Sequence, residues 1–181
     1  PHRLSRWSAS FITTYLNHLN AVIFANALNY AYVFELSNHI LFHAPYRRAY
    51  NYFANSGLAS EGRPTPAELK ILDPFKAQFP ASVFTAPYVA PSTVKPSSLR
   101  KNLRTATKLL NEAGWRIADG QLRHDRHDQH MTFEFLLYQK DFERIVQPYI
   151  KNLNKIGIQE SIRVGDTQPY INRMSTYDFD R

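Results

Sequence analysis

The sequence predicts an α/β fold, a mixed sheet flanked by helices and interrupted by a long proline-rich loop region. Three observations carry that expectation. Two segments of strand character, Met131 to Tyr138 and Ile158 to Val164, flank an amphipathic helical stretch, Lys140 to Ile156. That order describes a crossover unit whose strands lie side by side and parallel. A second amphipathic helix precedes it and is closed by Gly114, while eight of the eleven prolines fall between Pro45 and Pro96.

Taken in order, Pro1 to Asn20 has no clean hydrophobic period and receives no element. From Phe24 to Phe42, apolar residues at Phe24, Leu28, Tyr32, Leu36 and Ile40 recur every fourth position, which predicts one helix ending before Pro45. The proline-rich stretch that follows, with Ser56-Gly57 and Glu61-Gly62, predicts extended loop around a short helix at Ala67 to Phe75.

Ser97 or Ser98 is placed to cap a helix whose stripe is Leu99, Leu103, Ala106, Leu109, Leu110 and Ala113. Trp115 to Leu122 and Met131 to Tyr138 read as two strands of a hairpin around a polar turn. The helix Lys140 to Ile156 carries Phe142, Ile145, Val146, Tyr149, Ile150, Leu153 and Ile156 on its buried face, with Gly157 as its stop. Pro148 inside it removes a backbone donor, so a kink is expected at a cost of about 3 kcal/mol unless packing compensates. Ile158 to Val164 alternates as a strand, Thr167 to Ser175 is a short helix, and Tyr177 to Asp180 begins another strand.

Composition narrows the chemistry. The balance of 44% hydrophobic and 20% charged residues supports a buried core rather than a disordered tail. With no cysteine, disulfides, thiolate zinc sites and cysteine nucleophiles are excluded together. No apolar run reaches the roughly 20 residues that a membrane helix needs, and Pro1 to Ser10 lacks the apolar core of a signal peptide. The net charge of +7 invites a nucleic-acid reading. However, the cations are scattered, and the densest set, Arg100, Lys101, Arg104 and Lys108, has the spacing of a solvated helix face.

Three blocks then carry a resemblance. Ala106-Thr-Lys-Leu-Leu-Asn-Glu-Ala-Gly-Trp115 is followed by Asp119-Gly120. Asp141-Phe-Glu-Arg144 leads to Asn152-Leu-Asn-Lys-Ile-Gly-Ile158, and Tyr170 leads to Tyr177-Asp-Phe-Asp180. In this order they resemble the family 5 extracellular solute-binding proteins, the peptide- and nickel-binding receptors of ABC importers. Tyr52-Phe-Ala-Asn-Ser-Gly-Leu58 and the run from Asp73-Pro74 through Val83-Phe84 to Pro87-Tyr88 look more like one branch, the microcin C-type oligopeptide receptors.

The resemblance implies a periplasmic binding protein type II-like lobe, incomplete relative to the family. Residues 1–23 match poorly, and 24–181 correspond to part of the C-terminal lobe. It implies a non-enzymatic, periplasmic receptor component that binds a short peptide or peptide-like ligand and delivers it to an ABC permease in the inner membrane. No cofactor, no nucleic acid and no membrane insertion are expected. Asn172 and Arg173 align with family positions near the ligand backbone, where a guanidinium can pair with a peptide carboxylate. Tyr52, Asn55 and Ser56 supply a ring and polar groups in a loop, a mixture that reads extended peptide backbone.

Other motifs have plainer readings. His124, His127 and His130 are spaced by three, as metal ligands can be, but they sit in a polar turn and no metal site is expected. Asp178 and Asp180 would share one face of a strand, without the serine, glycine-rich loop or His-Glu pair that catalysis would need. The alternatives to a receptor piece are a standalone basic interaction or nucleic-acid-binding domain, or a non-functional truncated gene product.

Overall fold

The computed structural model describes residues 18–51, 53–60, 62–95, 97–126 and 130–176. The chain divides into two compact units, Pro1–Ala44 with Ser92–Arg181, and Pro45–Pro91. Among the described residues no helix is long and apolar enough to cross a membrane.

The first unit begins with α1 (His18–Ala31) and α2 (Phe34–Phe42). The single helix expected over Phe24 to Phe42 is therefore two. Spacing by four overshoots a 3.6-residue turn by about 40° per step, so the stripe winds around the cylinder and cannot stay buried along one straight helix. The chain breaks at Val33 (φ −112°, ψ 69°), which drops that side chain into the interior. Beyond the break Leu36 and Ile40 are 47% and 60% exposed, and α2 buries Ser37 and Asn38 instead.

The helix α5 (Leu99–Glu112) starts where the Ser98 hydroxyl accepts from the Lys101 N–H at 3.2 Å, and its end turns at Gly114 with φ +85°. Its buried residues Ala106 and Leu110 meet Phe24, Ala27 and Ala31 of α1 in the main core, joined by Trp115, Leu122, Leu153, Ile156 and Ile158. Alanines on both helices let the two backbones approach closely.

The strands depart from the expected long hairpin. β1 (Trp115–Ala118) and β2 (Gln121–His124) pair antiparallel with each other around Asp119-Gly120. Both turn residues have positive φ, 52° and 76°, as a two-residue primed turn requires, and the Asp-Gly pair is its usual sequence. Of the hairpin expected between Trp115–Leu122 and Met131–Tyr138, the described residues show a Met131 N–H bond to the Leu122 carbonyl (2.8 Å) and, beside it, an Arg123–His130 bridge.

The crossover forms as expected. β3 (Thr132–Leu137) and β4 (Gln159–Val164) are parallel neighbours, paired from Thr132–Gln159 to Leu137–Val164. Parallel and antiparallel pairings are thus both present, held in two separate two-stranded sheets among the described residues. Between β3 and β4 a 3-10 turn (Lys140–Phe142) feeds α6 (Glu143–Lys155), which runs on through Pro148. Val146, Ile150 and Leu153 are buried around the proline, and this packing offsets its missing donor. α6 also serves α1: the Asn152 amide donates to the Ala31 carbonyl (3.0 Å) and the Tyr149 hydroxyl to the Leu28 carbonyl (3.2 Å). These are carbonyls of the last turn, which the helix itself leaves without partners. Finally α7 spans Thr167–Ser175. The strand expected at Tyr177 to Asp180 lies outside the described residues.

In the second unit α3 (Pro66–Leu72) continues into a 3-10 turn (Asp73–Gln78), and α4 (Ser82–Thr85) follows. Thr65 and Glu68 form a reciprocal capping box, with the Thr65 N–H donating to Glu68 Oε2 at 2.7 Å and the Glu68 N–H donating to Thr65 Oγ1 at 3.3 Å. The guanidinium of Arg48 donates to the Pro91 carbonyl at 2.6 Å, tying the two ends of the unit.

Candidate ligand-binding surface

In parallel sheets, ligands gather beyond the carboxyl ends of the strands. Here β3 and β4 end together at Leu137 and Val164, and the Gly165 N–H donates to the Leu137 carbonyl at 2.8 Å. Tyr138 continues from β3. Its ring lies 5.1 Å from Phe142 and 5.3 Å from Tyr170 of α7, both tilted by about 45°. This aromatic trio fixes the start of α7 over the strand ends, and so fixes the helix carrying Asn172 and Arg173.

Asn172 is exposed, with its side-chain oxygen accepting from the Gln168 amide at 3.2 Å. Its carbonyl is crowded by the Ser175 hydroxyl (2.9 Å), the Thr176 hydroxyl (2.8 Å) and the Thr176 N–H (3.0 Å), which close the helix. Arg173 is half-buried and already engaged by a neighbour. Ile171 and Met174 are exposed beside them.

Asn55 and Ser56 belong to the other unit, in a loop organised by Asn51, which the sequence reading does not single out. The Asn51 side chain accepts from the Phe53 N–H at 3.0 Å and donates to the Ser60 carbonyl at 3.2 Å. An asparagine two residues ahead of a turn is the usual sign of this motif. Ser56 is spent within the loop, its hydroxyl donating to the Phe53 carbonyl (2.7 Å) and accepting from the Leu58 N–H (3.2 Å). Asn55 holds positive φ, 66°, and its exposed side chain makes no hydrogen bond among the described residues. Of this pair Asn55 is the one free to meet a ligand. Tyr52 lies outside the described residues.

Two of the three histidines lie among the described residues. His124 packs edge-on against Trp115, with centroids 5.0 Å apart, and its Nδ1 accepts from the Arg126 N–H at 3.1 Å. His130 is exposed at the bridge to Arg123, and His127 lies outside the described residues, as do Asp178 and Asp180. No group of three metal-binding side chains occurs among the described residues. Arg100 and Arg104 of α5 line an open groove of about 690 Å³ together with Lys155, Leu99, Leu103 and Ile156.

Among the described residues of the first unit, three groups titrate away from their ordinary values. Burial first, and the adjacent Tyr32 phenol second, push Tyr149 well up, so it remains protonated as the donor to α1. Burial raises Glu160 more than the Asn154 amide bond at 3.1 Å lowers it. Burial also raises Glu35, but hydrogen bonds from its own backbone, Ser92 and Thr93 together outweigh it and hold the carboxyl down.

Residues 17–181 match the model of the bacterial extracellular solute-binding proteins, family 5 middle region. The chain belongs to this family. Among curated family relatives, the Probable peptide-binding protein YejA of Agrobacterium fabrum is 42% identical over 154 residues, which is 85% of this chain and 25% of that protein. A YejA of Escherichia coli is 36% identical over 85% of this chain and 26% of its own length. The chain thus spans about a quarter of the length of the curated relatives it matches.

Among solved structures, the oligopeptide-binding protein of Thermus thermophilus complexed with a pentapeptide superposes with a TM-score of 0.56 at 22% identity. The match covers 90% of this chain and 23% of that one. NikA of Brucella suis, in complex with Fe(III)-EDTA, gives 0.56 at 16% identity over 94% of this chain and 28% of that one. At these identities the likeness speaks for the solute-binding-protein fold.

Proposed function

We propose that this chain is part of the peptide-binding receptor of an ABC importer, contributing one wall of a ligand cleft. The observation that carries the reading is the parallel β3–α6–β4 crossover inside a stretch matched almost end to end by the family model. Residues 24–181 are read as part of the C-terminal lobe, with 1–23 as a poorly matched segment ahead of it. The receptor works in the periplasm, closes over a short peptide by hinge motion and presents the closed form to an inner-membrane permease. It breaks no bond.

Asn172 and Arg173 in the first unit, and Asn55 and Tyr52 in the second, are the proposed ligand contacts, while Ser56, spent within its own loop, is left to shape that loop. The exposed Asn172 amide and the Asn55 side chain supply polar atoms for peptide backbone, and the Arg173 guanidinium supplies charge for a carboxylate. One wall alone leaves a peptide half in water, so most of its burial is forfeited.

Isothermal titration calorimetry with a peptide library tests this. Residues 1–181 alone are expected to show no micromolar binding. The same residues carried in a complete receptor are expected to bind, with a loss of roughly tenfold or more for Arg173→Ala, the size of one charged hydrogen bond. Micromolar affinity in the isolated chain, or no peptide bound by the complete receptor, overturns the reading.

A further inference from the structure

Helix dipoles favour acids at the start of a helix and bases at its end, and several helices here comply. α2 opens with Glu35 and closes with His39, α3 with Glu68 and Lys70, and α6 with Glu143 and Lys155. α5 is reversed. Arg100 and Lys101 stand in its first turn, where there is no acid, and Glu112 is its last residue. Arg100 and Arg104 are also four residues apart, a like-charge spacing that destabilises a helix further. Elsewhere cations find partners: Lys108 meets Glu112 at 3.9 Å, Arg116 meets Asp125 at 3.1 Å and Arg163 meets Glu134 at 3.5 Å. Arg100 and Arg104 make no hydrogen bond or ion pair among the described residues.

These two arginines border apolar surface. Leu99, Leu103 and Thr107 recur every fourth residue beside them, and at 100° per residue all of these side chains fall within about 140° of the helix and extend about 12 Å along it. With Lys155 and Ile156 at the end of α6 they line the open groove of about 690 Å³, and no carboxylate is among its lining residues. Ile156 is buried and Leu103 packs against the main core, so the floor is held in place, while Arg100, Arg104 and Lys155 are exposed.

We infer that this groove docks an acidic amphipathic helix of another polypeptide. Charge selects an anion. Three cations meet no carboxylate in the groove, and negative charge over the first turns of α5 relieves both its reversed dipole and the arginine repulsion. Shape selects a helix. An apolar row and a cationic row run side by side, and a helix with Glu or Asp at i and i+4 beside a leucine ridge presents both rows in complement. Inorganic phosphate answers the arginines and leaves Leu99 uncovered, and a flat anionic membrane has no rows to match. The inference does not rest on the peptide-receptor reading, because every lining residue lies on α5 or at the end of α6 and none is a proposed ligand contact.

Fluorescence anisotropy on the 181-residue chain tests it, using a labelled helix-favouring peptide with Glu at i and i+4 and Leu on the adjoining ridge. A scrambled peptide of the same composition, and one with the leucines replaced by serine, are expected to bind at least about tenfold more weakly. Arg100→Glu with Arg104→Glu is expected to weaken the first peptide by about tenfold or more, and to stay folded because acids near a helix start agree with its dipole. Arg47→Glu with Arg63→Glu changes the net charge equally away from the groove, and is expected to leave affinity within about twofold.

Equal binding of the scrambled peptide, or equal loss in both variants, means attraction by net charge alone and overturns the inference. No binding of the first peptide does so too. Phosphatidylglycerol vesicles that bind more tightly than the peptide, and lose binding with Arg100→Glu and Arg104→Glu, assign the groove to lipid headgroups instead. A dimer on size exclusion that the same variant disperses assigns it to a second copy. A complete receptor that carries this stretch and does not bind the peptide assigns it to the receptor's own chain, which also overturns the inference.

Discussion

The helices α5 and α3 begin in the same way and end in opposite circumstances. Ser98 caps one and Thr65, more completely, the other. α5 then lays Ala106 and Leu110 into a core shared with α1 and α6, whereas α3 buries nothing. A cap contributes about 1 kcal/mol, and a fully buried leucine about 1.5–3 kcal/mol. Local signals decide where a helix starts, and burial decides whether its loss is felt by the rest of the chain. The same contrast separates the two units as wholes.

The largest expected effects lie where the first unit is densest. Leu153 is fully buried in the core that α6 shares with α1, α5, β1 and β2, so Leu153→Ala is expected to lower unfolding free energy by about 2–5 kcal/mol. Ile71→Ala in the 181-residue chain is expected to stay within about 0.5 kcal/mol. Urea midpoints for both variants measure the difference, and similar losses would abolish the contrast between the units.

Gly157→Ala comes next. The glycine has φ +80°, and an added Cβ would stand 2.8 Å from the Leu122 backbone nitrogen. That nitrogen's N–H is the donor to the Gly157 carbonyl. Left-handed strain of about 1–2 kcal/mol and overpacking against a rigid backbone, about 1–3 kcal/mol, add to roughly 3 kcal/mol. Asn152→Ala removes the buried donor to Ala31 and is expected to cost about 1–3 kcal/mol. Faster amide exchange at the end of α1, with β1 and β2 unaffected, distinguishes this lost tether from general destabilisation.

The sequence allows more to be read in the first unit than in the second, for the same reason. Where burial is periodic, as in α5 and α6, spacing announces both the element and its inward face. The crossover follows from two strand patterns and one helix between them. The break at Val33 does not, because apolar residues four apart look continuous in sequence while they rotate out of the core in space. Asp119-Gly120 does carry its own signal, and a single strand drawn across that turn hides the β1–β2 hairpin. In Pro45–Pro91 the prolines announce loop, but α4 has no periodicity that could expose it.

The site residues are legible as residue types and only partly as roles. No spacing reveals that Ser56 is consumed inside its own loop while Asn55 is left open, or that Gln168 occupies Asn172. Those outcomes depend on short-range geometry that Asn51 and the aromatic trio impose, and neither stands out in the sequence.

The smallest effect sharpens the comparison most, because it sets two carboxylates with shifts of the same sign against each other. Glu35 lies below its ordinary value of 4.5: burial raises it, but hydrogen bonds from its own backbone, Ser92 and Thr93 outweigh that. Glu68 lies below the same value through the Thr65 backbone and side chain. A carboxyl with a depressed folded pKa adds stability that is fully present above its unfolded value and is lost as pH falls through the folded value. Glu35 anchors the start of the Ser92–Thr93 segment to α2 within the cored unit, so its contribution enters global unfolding. That contribution is expected to stay under about 1 kcal/mol because the group is partly exposed and screened by solvent. Glu68 holds only the first turn of a helix with no buried residue, so its protonation is expected to fray α3 and leave the global transition where it was. Urea midpoints measured from pH 7 into the acid range below 4.5 separate the two. Glu35→Gln should flatten the acid loss of stability, whereas Glu68→Gln should leave it unchanged and alter only amide exchange at residues 66–72. An equal flattening by both would mean that Pro45–Pro91 unfolds together with the core after all.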